Sequence, residues 1–183
     1  MNIASIQQNL FPFFVILSVG LIFIFLYFWK MYNAFIVMHN QVKTDFSDVL
    51  IQIKRRASLI ERLASLVKEY AKHENETYKQ VAQARSAVDT SSTTKSAAKA
   101  ENMLTDTLRS LFAVSESYPK LQASANYTDL QSQLEETENL IAQYREQYNV
   151  AVQDYNNLLQ VFPNLIPAAI FKFTEEEFFD TKS

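Results

Sequence analysis

His73-Glu74 is the pair of residues in this sequence that most suggests chemistry. A zinc-binding H-E-x-x-H helix needs a second His four residues after the first, and that position is Thr77. A di-iron bundle needs two Glu-x-x-His motifs. The residues three before His73 and His39 are Tyr70 and Ile36. Neither metal pattern is completed, so the sequence predicts no metal and no cofactor. Glu135, Glu136 and Glu138 could offer paired carboxylates for acid–base work, but Glu136 falls on the polar face of its helix, and a solvated face is the expected reading. Lys54-Arg55-Arg56 could meet anionic lipid. On a straight helix from Lys30 they would lie about 36 Å beyond a membrane surface, several Debye lengths of roughly 8 Å each. An ordinary charged face is expected there. The chain has no Cys and a single Gly, Gly20, inside an apolar run. A P-loop, a G-x-G-x-x-G turn and a G-x-S-x-G elbow are thereby excluded. The net charge of −3 gives no general attraction to nucleic acid. No catalytic constellation assembles from these residues, and neither an enzyme nor a small-molecule substrate is expected.

Helices must position whatever function remains. With one Gly and four Pro in 183 residues, the chain is short of turn formers. From Tyr127 to Phe162 apolar residues recur every seven, at Tyr127, Leu134, Ile141, Tyr148, Tyr155 and Phe162. A second series, Leu130, Thr137, Tyr144, Ala151 and Leu158, is offset by three. This is an a/d heptad, and its helix would be roughly 54 Å long. Such a stripe needs other helices to cover it. From Met31 to Val88 there is neither Gly nor Pro, and Val42, Phe46, Val49, Ile53, Ala57, Ile60, Ala64 and Val67 follow a helical period. The pattern predicts one long helix, with the apolar face widening after Ala57 through Leu59, Leu63, Leu66 and Tyr70. Thr90-Ser91-Ser92-Thr93-Thr94 reads as a loop, Ala97–Ser117 as a helix ended by Tyr118-Pro119, and Phe162-Pro163 as the stop of the heptad helix. Pro167 is expected to keep the helix from resuming quickly. The Phe-rich tail around Glu175-Glu176-Glu177 reads either as an apron on the bundle end or as a docking segment.

Leu10–Trp29 is an uncharged run of twenty residues, long enough to cross the hydrocarbon core as a helix. It lacks a basic start and an A-x-A site, so an uncleaved anchor is expected rather than a signal peptide. Lys and Arg follow the run at Lys30, Lys43 and Lys54-Arg55-Arg56 but do not precede it. The positive-inside rule then predicts an extracytoplasmic tail at 1–9, a transmembrane helix at 10–30, a cytoplasmic helical bundle at 31–165 and an aromatic, acidic tail at 166–183. Ser18-Val19-Gly20 is the small-residue notch of the span, where a second span could approach. A fragment from residue 31 is expected to fold without the anchor. Beside the heptad seam runs a second row: Glu138, Ala142, Arg145, Asn149, Val152, Asn156 and Leu159. It is too mixed for a dry core and too apolar for plain surface. Arg145 there calls for an acid on another helix, with Glu74 or Glu116 the candidates. The row either fixes helix register or forms a docking face for a partner; Arg85 is a further residue suited to either role.

Several stretches also carry a resemblance. Tyr32-Asn33, Lys54-Arg55-Arg56, Leu59-Ile60, Tyr70-Ala71, His73-Glu74, Ala84-Arg85, Glu116-Ser117-Tyr118-Pro119, Thr137-Glu138, Arg145, Tyr148-Asn149, Tyr155-Asn156 and Phe162-Pro163 follow one another as in the LemA family, which the chain resembles over about four fifths of its length. The resemblance implies an all-α fold: one N-terminal transmembrane helix and an antiparallel up-and-down bundle of three to four long helices. It also implies a bacterial cytoplasmic-membrane protein. The expected function is that of a membrane-anchored scaffold or adaptor, working through another membrane protein or self-association. The alternative is an accessory regulator of a neighbouring membrane protease in envelope stress, since some family members are encoded beside a membrane metalloprotease. Family members often carry Pro-Asn where this chain has Glu61-Arg62, and Gly where it has Lys172.

Overall fold

The computed structural model describes residues 3–71 and 75–180, with side chains described over 13–71 and 76–180. Six helices follow one another: α1 (Ile3–Tyr70), α2 (Asn75–Asp89), α3 (Thr94–Glu116), α4 (Pro119–Gln122), α5 (Ala125–Gln160) and α6 (Leu165–Phe171). No strand occurs among the described residues, so the all-α expectation holds. The chain forms two compact units. One contains the residues up to Asn40 together with Asp154–Glu175; the other contains Gln41–Gln153 and the residues from Glu176.

In the second unit, α1 ends at Tyr70, so the single helix expected over 31–88 is not what forms. It does run uninterrupted through Glu61-Arg62, where the family's Pro-Asn would favour a break. The chain reverses between α1 and α2. Arg85 of α2 donates to Glu61 at 3.0 Å and to Ser58 at 3.3 Å, both on α1. A continuous helix would hold Arg85 and Glu61 about 36 Å apart. Tyr78 of α2 donates its hydroxyl to the Ala71 carbonyl at 3.1 Å, which ties the reversal down. The widened face of α1 is used in its first half: Leu59 and Leu63 are buried along with Ile60, Ala64 and Val67, while Leu66 is half-buried and Tyr70 exposed. The loop after α2 is the expected Ser/Thr stretch. Thr93 accepts from the Ser96 amide while the Ser96 hydroxyl accepts from the Thr93 amide, a reciprocal cap that starts α3. Pro119 occupies the first position of α4, where its missing N–H costs nothing.

The heptad of α5 holds only in part. Tyr127, Leu130, Leu134, Thr137, Ile141, Tyr148 and Tyr155 are buried, and the Thr137 hydroxyl is satisfied by the Leu134 carbonyl at 2.8 Å. Past Ile141 the offset series weakens, and Tyr144, Ala151 and Leu158 are only half-buried. Val152, Asn156 and Leu159 are buried instead. Phe162, the last heptad position, is 80% exposed. A straight α-helix drifts about 20° per heptad against a 3.5-residue repeat. Without supercoiling, the buried stripe therefore rotates off the heptad and onto the adjacent row.

The first unit contains the apolar span, whose side chains from Phe13 to Leu26 are largely exposed. Its core is Phe35, Tyr155, Leu159 and Ala168, with the Phe35 ring 5.1 Å from Phe173 and the His39 ring stacked on Tyr155 at 5.3 Å. The other histidine, His73, lies outside the described residues. α5 stops at Gln160, yet the chain re-forms a helix at Leu165, sooner than Pro167 suggested. Pro167 sits in the first turn of α6, where an amide would find no helical acceptor, and the first α-type bond runs from the Ala168 amide to the Asn164 carbonyl. Tyr27 donates its hydroxyl to Asn164 at 2.8 Å, and the Phe28 ring meets Phe171 at 6.3 Å. The base of the span thus contacts α6, and a cut at residue 31 would remove the contacts that Tyr27 and Phe28 make there.

Lys172 explains why Gly suits its position in relatives. It has φ 59° and ψ 37°, the left-handed region. Its amide donates to the Ala169 carbonyl and the Phe173 amide to that of Ala168, which closes α6 in a Schellman turn. A Cβ in this conformation costs about 1 kcal/mol. Lys172→Gly is therefore expected to raise the thermal midpoint of the full-length protein by an amount equivalent to about 1 kcal/mol, less the backbone entropy that Gly adds to the unfolded chain. A lower midpoint than wild type would show that the lysine side chain contributes more than the strain costs.

Candidate functional site

The densest polar grouping inside the second unit is a set of charges on three helices. Arg56 comes from α1, Glu101 from α3, and Glu138 and Arg145 from α5. Arg56 is 3% exposed and its Nη2 lies 3.5 Å from Glu138 Oε2. Arg145 Nη1 lies 3.5 Å from Glu101 Oε1, with both side chains mostly buried. Nearby, Arg55 pairs with Glu136 at 3.1 Å on the exposed rim. Arg56, Glu101 and most of Arg145 thus share one interior, while Glu138 reaches Arg56 from the exposed side. Burial pushes the Glu101 carboxyl above the usual carboxylate range, and Glu138 adds to that push. The Arg145 and Arg56 charges pull against it. Arg56 Nε and Glu101 Oε2 are buried without a hydrogen-bond partner among the described residues. Chemically, the arrangement can hold three helices in one register, because any slip would leave a buried charge unpaired.

The C-terminal segment covers part of the mixed row. Asn149 grips the Phe179 backbone from both sides: its Nδ2 donates to the carbonyl at 3.2 Å, and its Oδ1 accepts from the amide at 2.8 Å. The Arg145 guanidinium lies over the Phe179 ring, 5.2 Å from its centroid, and that ring is buried. Tyr148 donates its hydroxyl to the Glu177 carbonyl at 2.8 Å. Burial, together with the Glu176 and Glu177 charges, pushes the Tyr148 phenol up to about 12, so it stays a donor. Lys95 of α3 meets Glu177 at 3.1 Å on the surface. The tail is an apron here, with Phe178 facing outward.

The structure therefore sorts the sequence candidates. Arg145 finds its acid on another helix, but the acid is Glu101. Glu116 is exposed, and Glu74 lies outside the described residues. Glu138 serves Arg56 instead. Arg85 pins α2 to α1 through Glu61 and also meets Asp89 on its own helix at 3.0 Å. Asn149 holds the tail, while Asn156 is buried in the other unit. Arg56, expected with Lys54 and Arg55 on an ordinary charged face, is buried instead, and Glu101 escaped the sequence reading. Their spacing carried the signal: Ile53, Arg56 and Ile60, and likewise Ala97, Glu101 and Leu104, step by three and four along a buried face. A charge at such a position is buried among its apolar neighbours.

Fold and site together define a membrane-associated helical protein: α1 carries a stretch long and apolar enough to cross a membrane, and further along it joins α3 and α5 in a set of partly buried ion pairs. The LemA family model matches residues 45–183, and the chain belongs to the LemA family. It is similar to the magnetosome protein MamQ of Magnetospirillum gryphiswaldense, with 24% identity over 177 residues. That match covers 82% of this chain and 65% of the length of MamQ.

Proposed function

We propose that this protein is a membrane-anchored scaffold or adaptor that works by protein–protein contact, with its own copies or with another membrane protein, at the cytoplasmic membrane of a bacterium. The observation that carries this reading is α1. The same uninterrupted helix supplies an exposed apolar span and, further along, the buried residues Val42, Val49 and Ile53 of the second unit. The span and the first helix of the bundle are thus parts of one helix. The buried Arg56, Glu101 and Arg145 are each paired across helices, which fits a register device rather than an active site.

The test is affinity purification of the full-length protein from a mild detergent extract, followed by mass measurement of the eluted complex. A stoichiometric homo-oligomer, or a stable complex with one membrane protein, is expected. Enrichment of a membrane protease would favour the regulatory alternative, and a monomer at every concentration would overturn the scaffold. Gly20, where an added Cβ would meet nothing within 4 Å in a single copy, is the place for a second span to approach. If copies associate through it, Gly20→Ile reduces the oligomer size.

Orientation is part of the same proposal. The Lys and Arg residues that follow the span, with none before it, support a cytoplasmic bundle. Protease added outside intact spheroplasts is expected to leave residues 40–183 undigested. Digestion of that region before lysis would reverse the topology.

A further inference from the structure

Apolar surface in the first unit does not stop at the span. The eleven residues from Val161 to Phe171 contain no charged side chain, and Lys172 follows them at once. Val161, Phe162, Leu165, Ile166 and Ile170 are all exposed. A run of this kind is costly in water, and monomeric soluble proteins rarely show one. It lies directly against the span. A groove of about 460 Å³ is lined by Phe23, Ile24, Tyr27 and Phe28 on one side and Pro163, Ile166 and Pro167 on the other. Tyr27 holds Asn164 at 2.8 Å, and Phe171 packs on Tyr32 at 5.0 Å between ring centroids.

We propose that the Val161–Phe171 segment, with α6 at its centre, enters the same bilayer leaflet as the base of the span and makes a second, interfacial contact with lipid acyl chains. Three observations converge. First, depth: Ile24 lies five residues inside Trp29, about 8 Å along the helix. Residues that share a groove with it sit at the depth of interfacial helices, roughly 5–10 Å below the headgroups. Second, most of the backbone around the segment is satisfied internally, with the Phe162 and Asn164 amides lacking a backbone acceptor among the described residues. The amides of Val161, Leu165, Ile166, Ala168, Lys172 and Phe173 all donate to backbone carbonyls, and Pro163 and Pro167 have no amide to satisfy. Third, the polar boundaries agree: Lys30 ends the span and Lys172 ends the segment, each placed to reach headgroup phosphates. The occupant of the exposed face is lipid because the face continues the surface that the span itself offers to lipid.

This inference rests on the reading of α1 as a membrane span, and its test separates the two. The chain has no cysteine, so single cysteines can be placed in the full-length protein without background. Phe162→Cys and Ile170→Cys report on the segment, Leu21→Cys on the span and Gln143→Cys on the exposed face of α5. Each variant, checked for wild-type helicity, is labelled with an environment-sensitive fluorophore and reconstituted into phosphatidylcholine–phosphatidylglycerol vesicles. Some vesicles carry nitroxide-labelled phosphatidylcholine, with the nitroxide near the headgroup or deep in the acyl chain. Labels at 162 and 170 are expected to lose emission to the shallow nitroxide more than to the deep one. The label at 21 should favour the deep nitroxide, and the label at 143 should respond to neither. Quenching at 21 with none at 162 and 170 overturns the proposal and leaves the span intact. If those two unquenched labels are also blue-shifted, protein rather than lipid covers the face. No quenching at 21 removes the span reading and the inference with it.

Discussion

Ile141→Asp is expected to abolish cooperative unfolding of the bundle, while Ala142→Asp, one residue along, leaves it nearly unchanged. Ile141 is 1% exposed on α5, and its neighbour Ala142 faces water. Removing the aliphatic side chain alone costs about 2–5 kcal/mol. Placing a carboxylate without a partner in the space adds several kcal/mol more, unless it protonates. Domains of this size are stable by about 5–15 kcal/mol in total, so the sum is enough to unfold the unit. Leu134→Asp is expected to behave the same way, because Leu134 lies two turns earlier on the same buried stripe. The measurement is helicity and thermal unfolding of the full-length protein in detergent or nanodiscs. Equal melting of the Ile141 and Ala142 variants would mean that the buried face of α5 has been assigned to the wrong side.

The second large effect concerns the interior charges, and it depends on pH. Arg145→Ala is expected to cost about 2 kcal/mol near neutral pH, because it leaves Glu101 buried with a weaker set of compensating charges. Burial already raises the Glu101 carboxyl above its value in the unfolded chain, so the folded protein holds this proton more tightly. The stability linked to Glu101 is therefore fully present below the ordinary carboxylate range, and it is lost as pH rises through the raised folded value. Without the Arg145 charge that value moves higher still. The gap between wild type and Arg145→Ala should accordingly be small in mild acid and grow toward neutral pH. Glu101→Gln removes the titration. Added to Arg145→Ala, it should recover most of the loss, since a neutral amide is less costly to bury than an unpaired carboxylate. Identical unfolding of wild type and Arg145→Ala across this range would show that the pair contributes nothing to holding α3 against α5. A constant gap that ignores pH would instead assign the loss to the packing of Arg145 on Phe179.

The two predictions draw on different layers of information. Local signals in the amino-acid order determined the apolar span, the Ser/Thr loop and the ends of α3 and α5 at Tyr118-Pro119 and Phe162-Pro163. A run of hydrocarbon side chains, or a proline without an amide, acts within a turn or two of itself. The stripe through Leu134 and Ile141 was legible for the same reason, since helical periodicity is a property of one helix. Its drift after Ile141 was not. Whether a helix supercoils to keep a heptad or stays straight depends on the neighbours it meets. Only the tertiary structure decided that α1 ends at Tyr70 rather than running through to residue 88, because the reversal is held by Arg85 on Glu61 and Tyr78 on Ala71. It alone chose Glu101 over Glu74 and Glu116 as the acid for Arg145. Likewise it laid Phe179 across Asn149. Periodicity shows that a charge faces inward, but its partner sits on another helix, and the distance between helices is written nowhere in either helix alone.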